Sequence, residues 1–144
     1  MAEDQQFYIG QKAVIEKDGK VLVLNDPVFG ADLPGGKIQV GETDFVASLK
    51  REVFEETGLE IIIGKPFHTG HFIMSSSLKG RQRKNAGKRI FIVYFIARYV
   101  SGRLRLSEEH NGYQWIDKQA YHILQNDKIG EVTKALEVYF TIID

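Results

Sequence analysis

Three glutamates lie within five residues of the stretch KREVFEETGL, residues 50–59. On an α-helix, which turns about 100° per residue, Glu52, Glu55 and Glu56 fall within an arc of roughly 100°. Carboxylates this close repel one another unless a cation compensates them. Carboxylate oxygens suit Mg²⁺ or Mn²⁺, and Mg²⁺ commonly bridges protein carboxylates to substrate phosphates. The spacing therefore predicts a divalent metal site on one helix face.

A glycine-rich segment directly precedes these glutamates. Alone, the stretch REVFEE is more typical of an exposed amphipathic helix than of a functional site. The segment LPGGKIQVGE, residues 33–42, changes this interpretation. Its glycines let backbone carbonyls and amides approach an ion or a phosphate without a side chain in the way. The loop and the acidic face together favour a metal and phosphate site.

The glutamates need a helix that is fixed against a core. Phe45, Leu49 and Val53 recur every four residues and predict a helix over residues 44–57. This apolar stripe borders the acidic arc, so packing it on a sheet would hold the carboxylates at the edge of the sheet. Suitable end residues are Thr43 or Asp44 as the N-terminal cap and Gly58 in the left-handed position after the end.

Strands and a second helix are expected around this helix. Residues 7–16 and 20–25 predict a hairpin through Asp18-Gly19. A loop with a short extended piece is predicted for residues 26–42, and a second loop for residues 75–89. One or two strands are predicted for residues 59–74, and single strands for residues 90–99 and 113–117. The carboxyl-terminal stretch predicts a helix with one apolar face, made of Ile129, Val132, Leu136, Tyr139 and Phe140. Strands interleaved with two helices predict the α/β class, a mixed sheet with helices packed on it.

The composition narrows the function classes. A length of 144 residues favours one domain, and equal numbers of acidic and basic residues argue against nucleic acid or an anionic membrane as a partner. The absence of cysteine excludes a thiolate nucleophile and cysteine-ligated zinc. The run IFIVYFIA, residues 90–97, is far shorter than the roughly 20 residues of a membrane helix. With no basic, apolar leader at its amino end, the protein is expected to be cytoplasmic.

The motif over residues 36–59 resembles the Nudix box of the Nudix hydrolases. It consists of Gly36, five residues, Glu42, a spacer, and then Arg51-Glu52-Val53-x-Glu55-Glu56-x-Gly58-Leu59. Leu33-Pro34-Gly35, the hairpin before it and the segment YQWID after it extend the resemblance over most of the chain. One departure stands out: eight residues, rather than seven, separate Glu42 from Arg51. This leaves open whether the Glu42 carboxylate reaches the site.

The resemblance implies a Nudix-type α/β/α sandwich and a hydrolase that attacks a phosphoric anhydride bond with water. By motif position, Glu55 and Glu56 would be the main ligands of Mg²⁺ or Mn²⁺, with the Gly36 carbonyl as a backbone ligand. Glu52 would be a further ligand or would orient the water, and Arg51 would hold the glutamates in place. Outside the box, Glu109 is the candidate metal ligand or base, with Glu108 and His110 as neighbouring alternatives.

Six cations lie between Lys79 and Arg89 and could grip the phosphates of a nucleotide substrate. A solvated hairpin end is the alternative. The substrate-binding candidates are Arg81, Arg83, Lys88 and Arg89. Other polar or aromatic residues favour structural roles: Trp115 and Tyr113 as core residues more than as a stacking platform, His68 and His71 on opposite strand faces, and His122 in a helical segment.

The leading hypothesis is cleavage of a nucleoside triphosphate to the monophosphate and pyrophosphate. Dinucleoside polyphosphates are the next candidate substrates, followed by ADP-ribose or a nucleotide sugar. A Nudix-type module that binds a nucleotide without cleaving it is an alternative of another class. The chain is expected to act as a monomer or a homodimer.

Overall fold

A computed structural model describes residues 2–143 of the chain. The strands are β1 (Tyr8–Lys17), β2 (Lys20–Asp26), β3 (Gly30–Asp32), β4 (Gly35–Lys37), β5 (Glu60–Ile73), β6 (Arg89–Ser101) and β7 (Gly112–Ile116). The helices are α1 (Phe45–Thr57) and α2 (Glu131–Ile142), with short 3₁₀ helices at Gly80–Asn85 and Tyr121–Ile123. The predicted α/β class is confirmed.

Within residues 2–143, seven strands form one mixed sheet in the order β3-β2-β1-β6-β5, with β4 paired to β1 and β7 paired to β2. Strands β1 and β6 run parallel, whereas the other pairs are antiparallel. The start of β1 pairs with β4, and its end pairs with β2 through the predicted turn at Asp18-Gly19. This change of partner along β1 leaves a fork in the sheet beside the glycine-rich segment.

Both faces of the sheet are buried. Successive residues of a strand point to opposite faces, so the apolar residues along the central strands face both sides. Ala13 and Ile15 of β1 pack with Leu49 and Val53 of α1. Val14, between them, packs on the other side of the sheet in the cluster that contains Leu136 of α2 and its helical neighbours. The chain thus forms a sheet between two helices, and α1 is fixed on the face from which its glutamates reach the fork.

Helix α1 ends at Thr57 as predicted and begins at Phe45, one residue after the predicted start. The Ala47 N–H donates to Asp44 Oδ1 at 3.1 Å, which caps the first turn, and Gly58 follows the last turn with φ of +74°. The prediction is wrong for one member of the apolar stripe. Leu49 and Val53 are fully buried, but Phe45 is 49% exposed. Phe45 is the first residue of α1, and it meets the sheet through its backbone carbonyl, which accepts from Gln11 Nε2 at 3.0 Å.

The remaining elements agree with the prediction in part. The segment over residues 26–42 contains the short strands β3 and β4, and the segment over residues 75–89 contains a 3₁₀ helix as well as loop. Ile129 lies before α2 and is 37% exposed, so its predicted place on the apolar helix face is wrong. Among the described residues, no helix is long and apolar enough to cross a membrane.

Candidate active site

A cleft of about 840 Å³ opens at the fork of the sheet. Its lining includes carboxylates from α1, backbone of the glycine-rich segment, and cations from β1 and from the 3₁₀ helix region. The predicted site residues that line it are Gly36, Glu52, Glu56, Arg81, Lys88 and Glu109. Glu55, Arg83 and Arg89 are exposed outside this lining.

Arg51 holds three carboxylates of the motif together. Its Nη1 donates to both oxygens of Glu55 at 3.1 Å, four residues along the helix. Its Nη2 donates to Glu42 Oε2 at 2.9 Å and to Glu52 Oε1 at 3.2 Å. Part of the repulsion among the motif carboxylates is therefore compensated by Arg51, which has the holding contacts that the resemblance implied.

Glu42 reaches the motif in spite of the longer spacer. Its carboxylate accepts from the Ser48 hydroxyl at 2.6 Å and from the Gln39 N–H at 2.8 Å, besides Arg51. The hydrogen bond from Ser48, with those from Gln39 and Arg51, lowers the pKa of Glu42 to about 2. Glu42 is therefore an anchor between the glycine-rich loop and α1, and its carboxylate stays outside the lining of the cleft.

Glu52 lies against the backbone of the glycine-rich segment. A Cβ atom added at Gly36 would lie 2.9 Å from both Cδ and Oε2 of Glu52, so any other residue there would push this carboxylate out of its position. The Glu52 side chain is 17% exposed. Burial raises its pKa, with further contributions from Glu55 and Glu109, against the opposing charge of Arg51. The site thus contains a carboxylate with a raised pKa beside the backbone of β4.

Glu56 is the most buried carboxylate of the box, with 4% exposure. The Gly35 N–H donates to its Oε1 at 3.2 Å. Within residues 2–143 its Oε2 has no hydrogen-bond partner, and it lies 3.4 Å from Nδ1 of His110. Burial raises the pKa of Glu56 to about 7, although Lys12 and His110 nearby favour its ionised form. An ionisable group poised near neutrality in a cleft is a feature of functional sites.

Lys12 and Asp32 extend this contact into a chain of charged groups. Lys12 Nζ lies 3.0 Å from Asp32 Oδ1, and His110 Nε2 lies 3.0 Å from Asp32 Oδ2. Burial alone would raise the pKa of Asp32, but Lys12 and His110 outweigh it and lower the pKa to about 2. Sequence reasoning missed Lys12 and Asp32. The only local signals were a charged residue within the apolar run of β1 and an aspartate next to Leu33-Pro34-Gly35.

The carboxylates of the cleft fit a divalent cation. One oxygen of Glu56, one of Glu109 and a ring nitrogen of His110 lie within 4.8 Å of one another. Several oxygen donors in a partly buried cleft are the ligands that Mg²⁺ and Mn²⁺ take in proteins. The neighbouring Glu108 is exposed and lies 3.6 Å from Arg81. Of the three candidates after residue 107, the structure thus places Glu109 and His110 beside the box.

The cleft also contains positive charges, most of which come from lysines. Lys12, Lys37, Lys84 and Lys88 line it together with Arg81. Lys37 Nζ donates to Asn85 Oδ1 at 2.9 Å, which ties β4 to the 3₁₀ helix. Burial lowers the pKa of Lys37, and the positive charges of the neighbouring lysines lower it further. Such mutual repulsion among cations is relieved by an anionic ligand.

The other residues considered from the sequence lie in structural environments. Trp115 packs partly buried against the core cluster under α1, and Tyr113 is 52% exposed on β7. The His68 ring lies 5.4 Å from the Tyr94 ring, whereas the His71 ring lies 6.3 Å from the Phe7 ring. His122 is an exposed residue of the second 3₁₀ helix. These contacts favour structural roles for Trp115, His68 and His71, whereas the expected core position of Tyr113 is wrong because about half of the residue is exposed.

Comparison with known proteins identifies the fold. A family model described as NUDIX domain matches residues 12–136. A NUDIX hydrolase from Nitrosomonas europaea is 22% identical with a TM-score of 0.75, covering 94% of this chain and 90% of that chain. A MutT protein from Methanosarcina mazei Go1 is 23% identical with a TM-score of 0.73, covering 94% and 96%. An ADP-ribose pyrophosphatase from Streptococcus suis 89-1591 is 18% identical with a TM-score of 0.59, covering 90% and 92%. No curated protein matches the chain.

The sheet between two helices, with box glutamates at a cleft, defines a Nudix-type hydrolase domain. The chain belongs to the Nudix hydrolase family, whose members act on derivatives of nucleoside diphosphates and generally use a divalent metal. The family match covers most of the chain, and the likeness to the solved structures establishes the fold.

Proposed function

We propose that the protein is a Mg²⁺-dependent pyrophosphohydrolase that cleaves a nucleoside triphosphate to the monophosphate and pyrophosphate. One observation carries the proposal: a single cleft combines the box carboxylates Glu52 and Glu56 with a set of lysines and Arg81. A polyphosphate needs both, because cations neutralise its oxygens while carboxylates hold the metal or take up a proton. The volume of about 840 Å³ is sufficient for a nucleotide.

The residues that would hold the cation are Glu56 and the backbone of Gly36, whereas Glu52 has one oxygen left and would use it as the proton acceptor. When bound, the metal would offset charge on the phosphate oxygens and lower the pKa of water. Glu55 shares both oxygens with Arg51, so in a ligand role it would give up one of these contacts. Arg51 would then keep its contacts with the other two carboxylates, those of Glu42 and Glu52.

Glu52 suits proton transfer from the attacking water. Its Oε1 accepts from Arg51, which leaves Oε2 free, beside Gly36. The raised pKa of Glu52 makes this oxygen a better proton acceptor than an ordinary carboxylate. The water oxygen would end on the attacked phosphorus, the proton on Glu52, and the electrons of the broken P–O bond on the leaving pyrophosphate. Lys84, Lys88 and Arg81 would stabilise the charge on that leaving group.

The test is a substrate panel with product identification in ¹⁸O-labelled water. The panel contains nucleoside triphosphates, a dinucleoside polyphosphate, ADP-ribose and a nucleotide sugar, each with Mg²⁺. We expect triphosphate turnover to monophosphate and pyrophosphate, with the position of ¹⁸O identifying the attacked phosphorus. Preferred turnover of another member of the panel would replace the substrate part of the proposal.

Two variants separate hydrolysis from binding. Glu52→Gln is expected to lower kcat by about 100-fold or more, the usual contribution of a general base. Glu60→Gln, an exposed position on β5, is the matched control and should keep wild-type kcat. Calorimetric binding of a triphosphate without turnover by the wild type would favour a binding module, and full turnover by Glu52→Gln would refute the role of Glu52.

A further inference from the structure

Two buried polar atoms face each other beside the box, and neither has a hydrogen-bonding partner in the described part of the chain. They are Glu56 Oε2 and His110 Nδ1, 3.4 Å apart, on side chains that are 5% and 3% exposed. Leaving such atoms unpaired in a protein interior costs about 1–3 kcal/mol each. Both atoms are satisfied when one positive species, either a proton or a metal ion, lies between them.

The other side of the His110 ring decides which atom faces Glu56. Asp32 is held as a carboxylate by Lys12 at 3.0 Å and by the Leu33 N–H at 2.9 Å. A carboxylate only accepts hydrogen bonds, so at 3.0 Å His110 Nε2 donates to Asp32 Oδ2. In the neutral ring, Nδ1 then presents a lone pair to Glu56. A histidine whose far nitrogen donates to a carboxylate is the arrangement found behind metal-ligating histidines.

We propose that His110 Nδ1, Glu56 and Glu109 bind one divalent transition-metal ion, and that this nitrogen donor makes the site prefer Mn²⁺ or Zn²⁺ to Mg²⁺. The inference deepens the proposed function and rests on it, because Glu56 belongs to both. Imidazole suits transition metals, whereas Mg²⁺ takes oxygen ligands. Two ligands at about 2.0–2.2 Å from a tetrahedral Zn²⁺ ion lie about 3.4 Å apart, which matches the spacing between the two atoms.

The charges around the site are compatible with a cation. Lys12 is the nearest adverse charge, and its ion pair with Asp32 offsets it. Glu109 is exposed at the cleft and supplies a third ligand atom within 4.8 Å of the other two. A second grouping, of Asp26, Asp32 and His110, is less suitable, since Asp26 Oδ1 accepts two backbone N–H groups and Asp32 is already paired.

The test is pulsed electron paramagnetic resonance of Mn²⁺ bound to protein labelled with ¹⁵N-histidine. We expect a ¹⁵N coupling to the ion in the wild type, and variants assign it among the four histidines. His110→Gln should abolish the coupling, and the exposed His122→Gln should retain it. Mn²⁺ bound without any nitrogen coupling, or a coupling that persists in His110→Gln, would overturn the proposal.

Affinities measured by calorimetry give a second readout. The wild type should bind Mn²⁺ about tenfold or more tightly than Mg²⁺, and His110→Gln should lose most of this preference. Equal preference in both proteins would contradict a nitrogen ligand. Melting in EDTA verifies that His110→Gln is folded. Nucleotide turnover without ¹⁵N coupling would refute this inference alone, whereas ¹⁵N coupling without turnover of any nucleotide would refute the proposed function alone.

Discussion

Replacing Glu56 by glutamine is expected to stabilise the metal-free protein at alkaline pH. The pKa of this carboxyl is about 7 in the folded chain, against an ordinary value of 4.5 that the unfolded chain would have. Between these values the folded state holds a proton that the unfolded state has lost, so stability falls as the pH rises and stays low above pH 7. At about 1.4 kcal/mol per pH unit, the full cost is about 3 kcal/mol.

Glutamine removes this cost with little change in shape. Its Oε1 can accept from the Gly35 N–H as Glu56 does, and its Nε2 can donate to the unpaired Nδ1 of His110. The free energy of unfolding of Glu56→Gln should therefore equal that of the wild type near pH 4.5. At pH 8.5 it should exceed the wild-type value by about 3 kcal/mol.

Urea unfolding in EDTA, followed by the fluorescence of Trp115, measures this difference at pH 5 and pH 8.5. With an m-value of about 2 kcal/mol/M, the midpoint at pH 8.5 should rise by about 1.5 M. The control is Glu55→Gln, since Glu55 is exposed and its pairing with Arg51 contributes at most about 1 kcal/mol at either pH. A difference between Glu56→Gln and wild type that is the same at both pH values would refute the reasoning.

Three further predictions concern the cleft and its support. Gly36→Ala should lower kcat about tenfold, measured by steady-state kinetics, because the new Cβ would displace the Glu52 carboxylate that takes up the proton; unchanged kcat would contradict this. Lys88→Ala should raise KM for the substrate about tenfold, the loss of one charged hydrogen bond, whereas Arg89→Ala, outside the cleft, should leave KM unchanged. Leu49→Ala should lower the free energy of unfolding by about 2–5 kcal/mol in urea melts, because Leu49 is fully buried between α1 and the sheet.

Local sequence patterns predicted the parts of the site that are close in the chain. The helix bounds follow from a cap at Asp44 and a glycine at residue 58, and the Arg51–Glu55 contact follows from the spacing of one helical turn. The same local rule was wrong for Phe45, because periodicity specifies a helix face but not how far the sheet extends beneath it. Packing between distant segments decides that question.

The contacts around His110 could not be predicted for a physical reason. Asp32 and His110 are separated by 78 residues, and they meet only because β3 and the segment before β7 both lie beside β2. Similarly, a count of cations identified the basic loop but not which side chains face the cleft. Lys88 lies in the cleft and Arg89 outside it, and Lys37 joins them from β4, far away in the chain.

The buried charges explain why the site and the stability of the fold are in conflict. Removing one partner of a buried charged network is costly. A fold in which the whole network is replaced by apolar side chains of the same shape is often as stable or more stable. At alkaline pH, where Glu56 has lost its proton, the Glu56–His110 contact goes further, because two acceptor atoms then face each other and lower the stability of the metal-free chain. A bound cation would convert both costs into binding energy, since it stabilises only the folded state. The same pair of atoms is therefore expected to yield a gain in stability when Glu56 is neutralised and a loss of metal affinity when His110 is removed.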